Sequence, residues 1–536
     1  MFQRDRRILV DTGVRGHGAI RDALRRFAEL RQGAGAYHTY RMTNVSLWSA
    51  AASGLSGSEI VGLLDRHGVV PLPPGLAAWI LEISSRYGQI RLVGQPGHLR
   101  LVCSDASSLQ ALAEALGTPA RPAQLDVPDD QRGFVKLRLA EQGWPVLDEA
   151  QVAGGIDVQF QLRPALRLRP YQSRALQAFI ESSSSGGLIL LPCGSGKTVV
   201  GVAIAARMSR STLVVVPSRT IGDQWIDQFL RLTNLDPGQV GWFRAGGGTP
   251  PVSIVTYQLL TAKSDGVARN LGLALDATWG LVIYDEVQSL PADVFRQSAA
   301  LQSLRRLGLS ATLVREDGRE AEVFAMIGPS LWSEPWLALE RQGWIAPVEC
   351  VELRIPIPTH REQTSDRILA EKLTAVRQIL RVRPDRPTLI VAHRLREVAA
   401  ISRALRAPQV TGGTPQDERH RLFDAFRHGQ VGVLVLSRVA NVGVDLPDAS
   451  LLIQISGAFG SRQEEAQRLG RILRPKVDRA RAYFYSLVVP GTPEVEYAHR
   501  RQRFLIDQGY RYRLMTLEEL TNDSGEACAP PESVER

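Results

Sequence analysis

Cysteine, lysine and long apolar runs are all scarce in this chain of 536 residues. The four cysteines, Cys103, Cys193, Cys350 and Cys528, lie far apart and form no C-x-x-C pair. That spacing argues against both a disulfide framework and a zinc site. No apolar run approaches the roughly 18 residues needed to cross a bilayer. The opening Met1-Phe2-Gln3-Arg4-Asp5-Arg6-Arg7 leads into no apolar core of a secretory signal. A soluble cytoplasmic protein without a membrane partner is therefore expected. Lysine occurs only at 136, 197, 263, 372 and 476, so arginine carries almost all the positive charge. A lysine inside a glycine-rich loop is correspondingly hard to ascribe to chance.

What is present is ordinary globular material, with 44% hydrophobic and 22% charged residues. The length suits roughly three or four domains. Net charge is +9. The surplus is larger over the body of the chain, because six carboxylates follow Met515 against Arg536 alone. A basic body fits a polyanionic partner, since phosphate contacts release counterions.

The first third differs in rhythm from the rest. Between Tyr40 and Val93 apolar residues recur at helical spacing, split by the turn Pro71-Leu72-Pro73-Pro74-Gly75. Residues 1–103 are expected to form a mainly helical domain, and 104–163 a small α+β domain. From Arg163 onward, short Val/Ile/Leu runs alternate with amphipathic stretches. The runs are Leu188–Leu191, Leu213–Val216, Ser253–Val255, Leu281–Tyr284, Thr388–Val391, Val433–Leu436 and Leu451–Ile455. Runs without polar alternation mark parallel strands covered on both faces. This is α/β architecture in two tandem parallel-sheet blocks, 164–335 and 336–515. The acidic, proline-containing segment 516–536 is expected to be disordered.

Chemistry concentrates at a few places. Leu191-Pro192-Cys193-Gly194-Ser195-Gly196-Lys197-Thr198 follows a predicted strand and opens a predicted helix. Glycines let successive N–H groups converge on phosphates, and the helix N-terminus adds positive field. Lys197 is placed to reach the β- and γ-phosphates of ATP, and Thr198 to ligate Mg2+. Leu191 occupies the position where the usual pattern has glycine. Asp285 and Glu286 end a buried run, where adjacent carboxylates are expensive to desolvate. Asp285 suits magnesium, and Glu286 suits orienting and deprotonating water. Arg169 and Gln172 lie upstream, and the Gln172 amide has the donor and acceptor that an adenine edge requires. Gln467, Arg471 and Arg474 share one face of a predicted helix, where guanidinium groups would neutralise a transferred phosphoryl group.

These pieces occur in the order expected of a superfamily 2 helicase. The set comprises Leu168–Gln172, Leu191–Thr198, Asp285-Glu286, Ser310-Ala311-Thr312, Val439–Pro447 with Gly443 and Asp445, and Gln467–Arg474. Arg315-Glu316-Asp317 resembles the Arg-Glu-Asp motif of the XPB family. The stretches Gly460–Arg471, Phe484–Leu487 and Arg500–Tyr510 are similar to further signatures of that family. The segment Tyr40–Val93 resembles its N-terminal domain, and 104–163 occupies the place of its damage-recognition domain. The resemblance covers nearly the whole chain and is closest to bacterial and archaeal members, which implies a prokaryotic cytosol or nucleoid.

The resemblance implies two RecA-like domains that clamp ATP, with DNA-dependent ATP hydrolysis driving 3′→5′ translocation and unwinding in repair. It implies nucleotide-site roles for Gly443 and Asp445. It also implies DNA contacts or coupling through Ser218, Arg219, Thr256, Tyr257, Ser310, Thr312, Arg315, Glu316, Asp317, Thr411, Gly412, Ser437 and Arg438. Backbone gripping carries little sequence specificity. Archaeal relatives imply a nuclease partner as well.

Two departures stand out. Gln288 occupies the position where the family usually has His. The stretch between Pro356 and Ile368, where the family usually inserts a helical thumb, is short. A second reading is therefore a double-stranded DNA translocase that remodels DNA–protein complexes without processive unwinding. A third, a non-catalytic DNA-binding scaffold, is opposed by intact Lys197, Thr198, Asp285, Glu286, Arg471 and Arg474.

Overall fold

The computed structural model describes residues 1–3, 5–32, 37–105, 108, 110, 112, 114, 124–150, 154–192, 194–244, 248–262, 272, 274, 277–289, 297–298, 301–311, 318–356, 365–437, 449–456, 481–508, 510 and 512–522. They fall into two compact units, Met1–Ala338 and Leu339–Arg536. No helix among the described residues is long and apolar enough to cross a membrane.

The first unit opens with an antiparallel sheet of β1 (Arg7–Asp11), β2 (Glu29–Gln32) and β3 (Tyr37–Arg41), in the order β1-β3-β2. Helices Asn44–Ala52, Gly57–His67 and Pro74–Ser85 follow. Thr43 and Ser56 start the first two through reciprocal capping boxes with Ser46 and Glu59, and Pro74 starts the third. Next come β4 (Ile90–Gln95), β5 (His98–Cys103), β6 (Gln124–Val127) and β7 (Val146–Asp148), arranged β6-β5-β4-β7. The boundary expected after residue 103 falls inside this sheet and is corrected here. Leu99, Leu101 and Cys103 alternate onto one face and share a core with Leu92, Val127 and Leu139, so 90–103 belongs with 124–148.

Seven parallel strands complete this unit: β8 (Gly186–Leu190), β9 (Thr212–Val216), β10 (Val240–Trp242), β11 (Val252–Thr256), β12 (Trp279–Asp285), β13 (Ser303–Ser310) and β14 (Ser330–Ser333). Their order is β10-β11-β9-β12-β13-β8-β14. The predicted runs are the central strands. β13 was hidden from sequence reasoning by Arg305 and Arg306. Both guanidinium groups donate to carbonyls, Arg306 to Met326 at 3.0 Å and Arg305 to Phe179 at 2.7 Å, which makes their burial tolerable.

The second unit repeats the plan with β15 (Val348–Arg354), β16 (Thr388–Ala392), β17 (Gln409–Val410), β18 (Val433–Ser437), β19 (Leu451–Gln454), β20 (Ala482–Val488) and β21 (Tyr512–Thr516). They are parallel, in the order β17-β18-β16-β19-β20-β15-β21. The disorder expected from residue 516 is corrected for 516–522. Thr516 ends β21, and Leu517–Asn522 is a helix whose Leu520 is fully buried. Thr516 and Glu519 exchange side-chain and backbone hydrogen bonds at its start, so the acidic residues there serve the helix N-terminus. Residues 523–536 lie outside the described residues.

Candidate active site

The site gathers at the C-terminal ends of β8, β12 and β13, where open parallel sheets bind ligands. β8 runs into a loop that ends on the helix Lys197–Met208. Gly194 and Gly196 have φ of 79° and 88°, a conformation that disfavours other residues. A Cβ on Gly196 would also lie 2.6 Å from Gln172 Nε2. Ser195 is buried, and its hydroxyl donates to Pro192 O at 2.6 Å. Its carbonyl accepts from the Tyr171 hydroxyl at 2.6 Å and from Gln172 Nε2 at 2.9 Å. Gln172 Oε1 meanwhile accepts the Arg169 N–H at 2.9 Å and caps the helix Pro170–Glu181.

These bonds give Gln172 a structural role beside the adenine-reading one expected of it. The amide is buried, and both its ends bond within the protein, so here it braces the loop. Half-buried Arg169 sets a guanidinium nitrogen 3.2 Å from the Tyr171 hydroxyl.

β12 delivers the paired carboxylates. Asp285 is buried, and Glu286 adopts φ 50°, left-handed for a non-glycine residue. The turn aims Glu286 at the loop, where Lys197 Nζ lies 2.7 Å from Oε1. The Gln288 amide donates to the other Glu286 oxygen and accepts from the Ser310 hydroxyl at the end of β13. Lys197, Glu286, Gln288 and Ser310 thus form one chain of hydrogen bonds. Asp285 has its own donors: Trp225 Nε1 at 2.8 Å on Oδ2 and the Glu286 N–H at 3.0 Å on Oδ1. Burial, and then the Glu286 charge, push its carboxyl up to about 6. A cation bound beside it would reverse that shift. Thr198 and Asp285 offer the hard oxygens that suit Mg2+.

Of the expected nucleic-acid contacts, Ser218 and Thr256 sit just past β9 and at the end of β11, neighbouring strands. Their side-chain oxygens cap helices, accepting from Ile221 and Leu259 N–H. Arg219 is exposed, its guanidinium 5.4 Å from the Trp242 ring centroid. Tyr257 requires correction. It is buried beneath the site, and its hydroxyl donates to the Asp285 carbonyl, so it presents no surface to DNA. In the second unit, Thr411 follows β17 and accompanies exposed Gly412, while Ser437 is buried at the end of β18. Thr312, Arg315, Glu316, Asp317, Arg438, Gly443, Asp445, Gln467, Arg471 and Arg474 lie outside the described residues. Sequence reasoning missed Trp225 and Tyr171. No local pattern separates an aromatic that donates to a site from one that only fills a core.

Residues 339–533 match a family model described as the ERCC3/RAD25/XPB C-terminal helicase. Residues 165–315 match the type III restriction enzyme res subunit, and residues 1–120 a helicase conserved C-terminal domain. The chain is 41% identical to a DNA 3′-5′ helicase XPB of Mycobacterium tuberculosis, over 97% of this chain and 98% of that protein. It is 40% identical to one of Kineococcus radiotolerans, over 97% of each. Among solved structures, the ATP-dependent type ISP restriction-modification enzyme LlaBIII bound to DNA aligns at TM-score 0.51 and 12% identity. That alignment covers 66% of this chain and 31% of that one, and it speaks to the fold alone.

Proposed function

The chain belongs to the XPB family of superfamily 2 helicases, and from that membership we propose that it is an ATP-dependent 3′→5′ DNA helicase acting in repair. The observation that carries the chemistry is the Lys197–Glu286 pair, 2.7 Å apart at the mouth of the glycine-rich loop. A triphosphate in that loop would draw the ammonium to its β- and γ-oxygens. Glu286, still held by Gln288, would then be released to orient the attacking water and take its proton. Magnesium, held by Thr198 and Asp285, would supply charge neutralisation on the phosphates. We assign Arg471 and Arg474, with Gln467, to the charge that develops on the transferred phosphoryl group, and Gly443 and Asp445 to the nucleotide.

Residues 164–335 and 336–515 are proposed as the two motor domains. Ser218, Arg219, Thr256, Thr411, Gly412 and Arg438 are proposed to grip the DNA backbone, whereas Ser437, expected beside them, is as buried as Tyr257 and is left out. Ser310, Thr312, Arg315, Glu316 and Asp317 are proposed to couple that grip to hydrolysis. We also place the protein in the prokaryotic cytosol, with a nuclease as a proposed partner.

Lys197→Ala tests the site. DNA-stimulated ATP turnover is expected to fall by at least ~100-fold, and turnover that persisted would remove the proposed chemistry. The short connection between β15 and the helix Ser365–Val382 favours, as a second reading, a duplex translocase without processive unwinding. Strand release from a 3′-tailed duplex separates the two, because only a helicase frees the strand.

A further inference from the structure

Asp285 is held from two sides by aromatic residues whose own elements begin at the proposed DNA-gripping ends of β9 and β11. The helix Arg219–Leu232 starts at Ser218, and its buried Trp225 donates its indole N–H to the Asp285 carboxylate at 2.8 Å. The short helix Tyr257–Thr261 starts at Thr256, and the Tyr257 hydroxyl donates to the Asp285 carbonyl. Neither ring can slide freely. Trp225 stands over Gly201 of the helix Lys197–Met208, where an added Cβ would come within 2.5 Å of the indole. Its ring centroid is 5.9 Å from that of Phe229. Tyr257 is fixed in the core beside Leu213, Val215 and Val282.

We propose that Trp225 and Tyr257 are positioning residues that transmit occupancy of the Ser218/Arg219 and Thr256 ends to the Asp285 carboxyl. The inference rests on the helicase reading given above. A phosphate gripped at Ser218 and Arg219 pulls on the first turn of a helix whose second turn carries the Trp225 donor. A phosphate at Thr256 acts on the residue next to Tyr257. Both displacements arrive at the carboxylate assigned to Mg2+, one on its oxygen and one on its backbone. Packed elements transmit such shifts because a close-packed core cannot absorb them.

Equilibrium binding tests this without relying on turnover. The affinity of an N-methylanthraniloyl derivative of ADP, with Mg2+ present, is measured on the full chain with and without a 3′-tailed duplex. Coupling between two such sites amounts to roughly 5- to 150-fold and is reciprocal. The unsubstituted protein is expected to show a factor in that range. Tyr257→Phe keeps its ring and loses only the donor, whereas Trp225→Phe also gives up part of a buried ring; each is expected to lower the factor several-fold, and the two together to bring it to within ~2-fold of unity. Phe229→Leu disturbs packing on the same helix without touching Asp285, so it is expected to retain the factor. Retention by either folded Phe variant overturns the assignment of that residue, and its loss in Phe229→Leu overturns the hydrogen-bond route for the helix. An unsubstituted protein whose nucleotide affinity ignores DNA overturns this inference, whereas the helicase reading fails separately, by absent strand release from the 3′-tailed duplex.

Discussion

Gln288 receives the Ser310 hydroxyl on its carbonyl oxygen and sends its amide to Glu286, so the two ends of the side chain have different jobs. A carboxamide performs both without titrating, whereas an imidazole in that position would change charge near pH 6.5. Gln288→Ala removes one charge-assisted bond from Glu286, a loss of about 1.5–3 kcal/mol if it is felt in the transition state. The expected result is a fall in kcat of ~10-fold or more with KM for ATP little changed, measured by steady-state ATPase kinetics. Gln288→His is expected to add a limb near pH 6–7 to the kcat profile that the unsubstituted enzyme lacks. The cradle, Lys197 and the paired carboxylates were legible in the sequence because their chemistry needs those residue types at that spacing. The bond from Gln172 to Ser195 was not legible, because an amide that could serve adenine is equally able to brace a carbonyl. Spacing alone does not reveal which partner a side chain takes.

The helix Arg132–Glu141 joins the small four-stranded sheet to the neighbouring parallel sheet through buried charge. Arg132 grips Asp148 with two nitrogens at 2.9 and 3.0 Å and donates to Ser303 O, while Lys136 Nζ adds a bond to Asp148 at 2.7 Å. Burial opposes the Asp148 charge, but the Lys136 and Arg132 cations outweigh it and hold its carboxyl well below the usual range. Lys136 gains less. Burial brings it down to about 8 despite Asp148, and Arg132 and Arg306 add to the effect. The two substitutions should therefore differ in sign. Asp148→Asn leaves three cations buried together and is expected to cost about 3–5 kcal/mol in urea unfolding. Lys136→Met leaves Asp148 clasped by Arg132 and is expected to be neutral or stabilising by up to about 3 kcal/mol at pH 7. From pH 8 to the ordinary lysine value near 10.4, the unfolded chain binds a proton that the native state does not. Stability should accordingly rise with pH across that window, and Lys136→Met should abolish the rise. These elements were only partly legible. Strands of uninterrupted Val, Ile and Leu announced themselves, whereas β13 was obscured by two arginines whose carbonyl partners are distant in sequence. The closing helix was obscured by carboxylates that cap it; its Thr516-x-x-Glu519 spacing was the available signal.

Sixty-four lysines and arginines against 55 carboxylates give a surplus of +9, carried almost wholly by arginine. Such a surplus says nothing about which bases are bound, but it predicts how binding responds to salt. Each phosphate neutralised on a duplex contributes roughly 0.9 to the slope of log affinity against log salt, and roughly 0.7 on a single strand. The grip proposed through Ser218, Arg219 and Thr256 would use the starts of two helices and one exposed guanidinium, none of which reads a base edge. Affinity for tailed DNA should therefore drop steeply as salt rises and change little when the sequence is permuted at constant length. Arg219→Ala isolates one contact, because this side chain is exposed and rests over Trp242 rather than within the core. It should weaken binding about equally for unrelated sequences and lower the slope by about one, as read by fluorescence anisotropy over a salt series. An unchanged slope would mean that Arg219 meets no phosphate, and the grip proposed at the end of β9 would have to be sought elsewhere on the sheet.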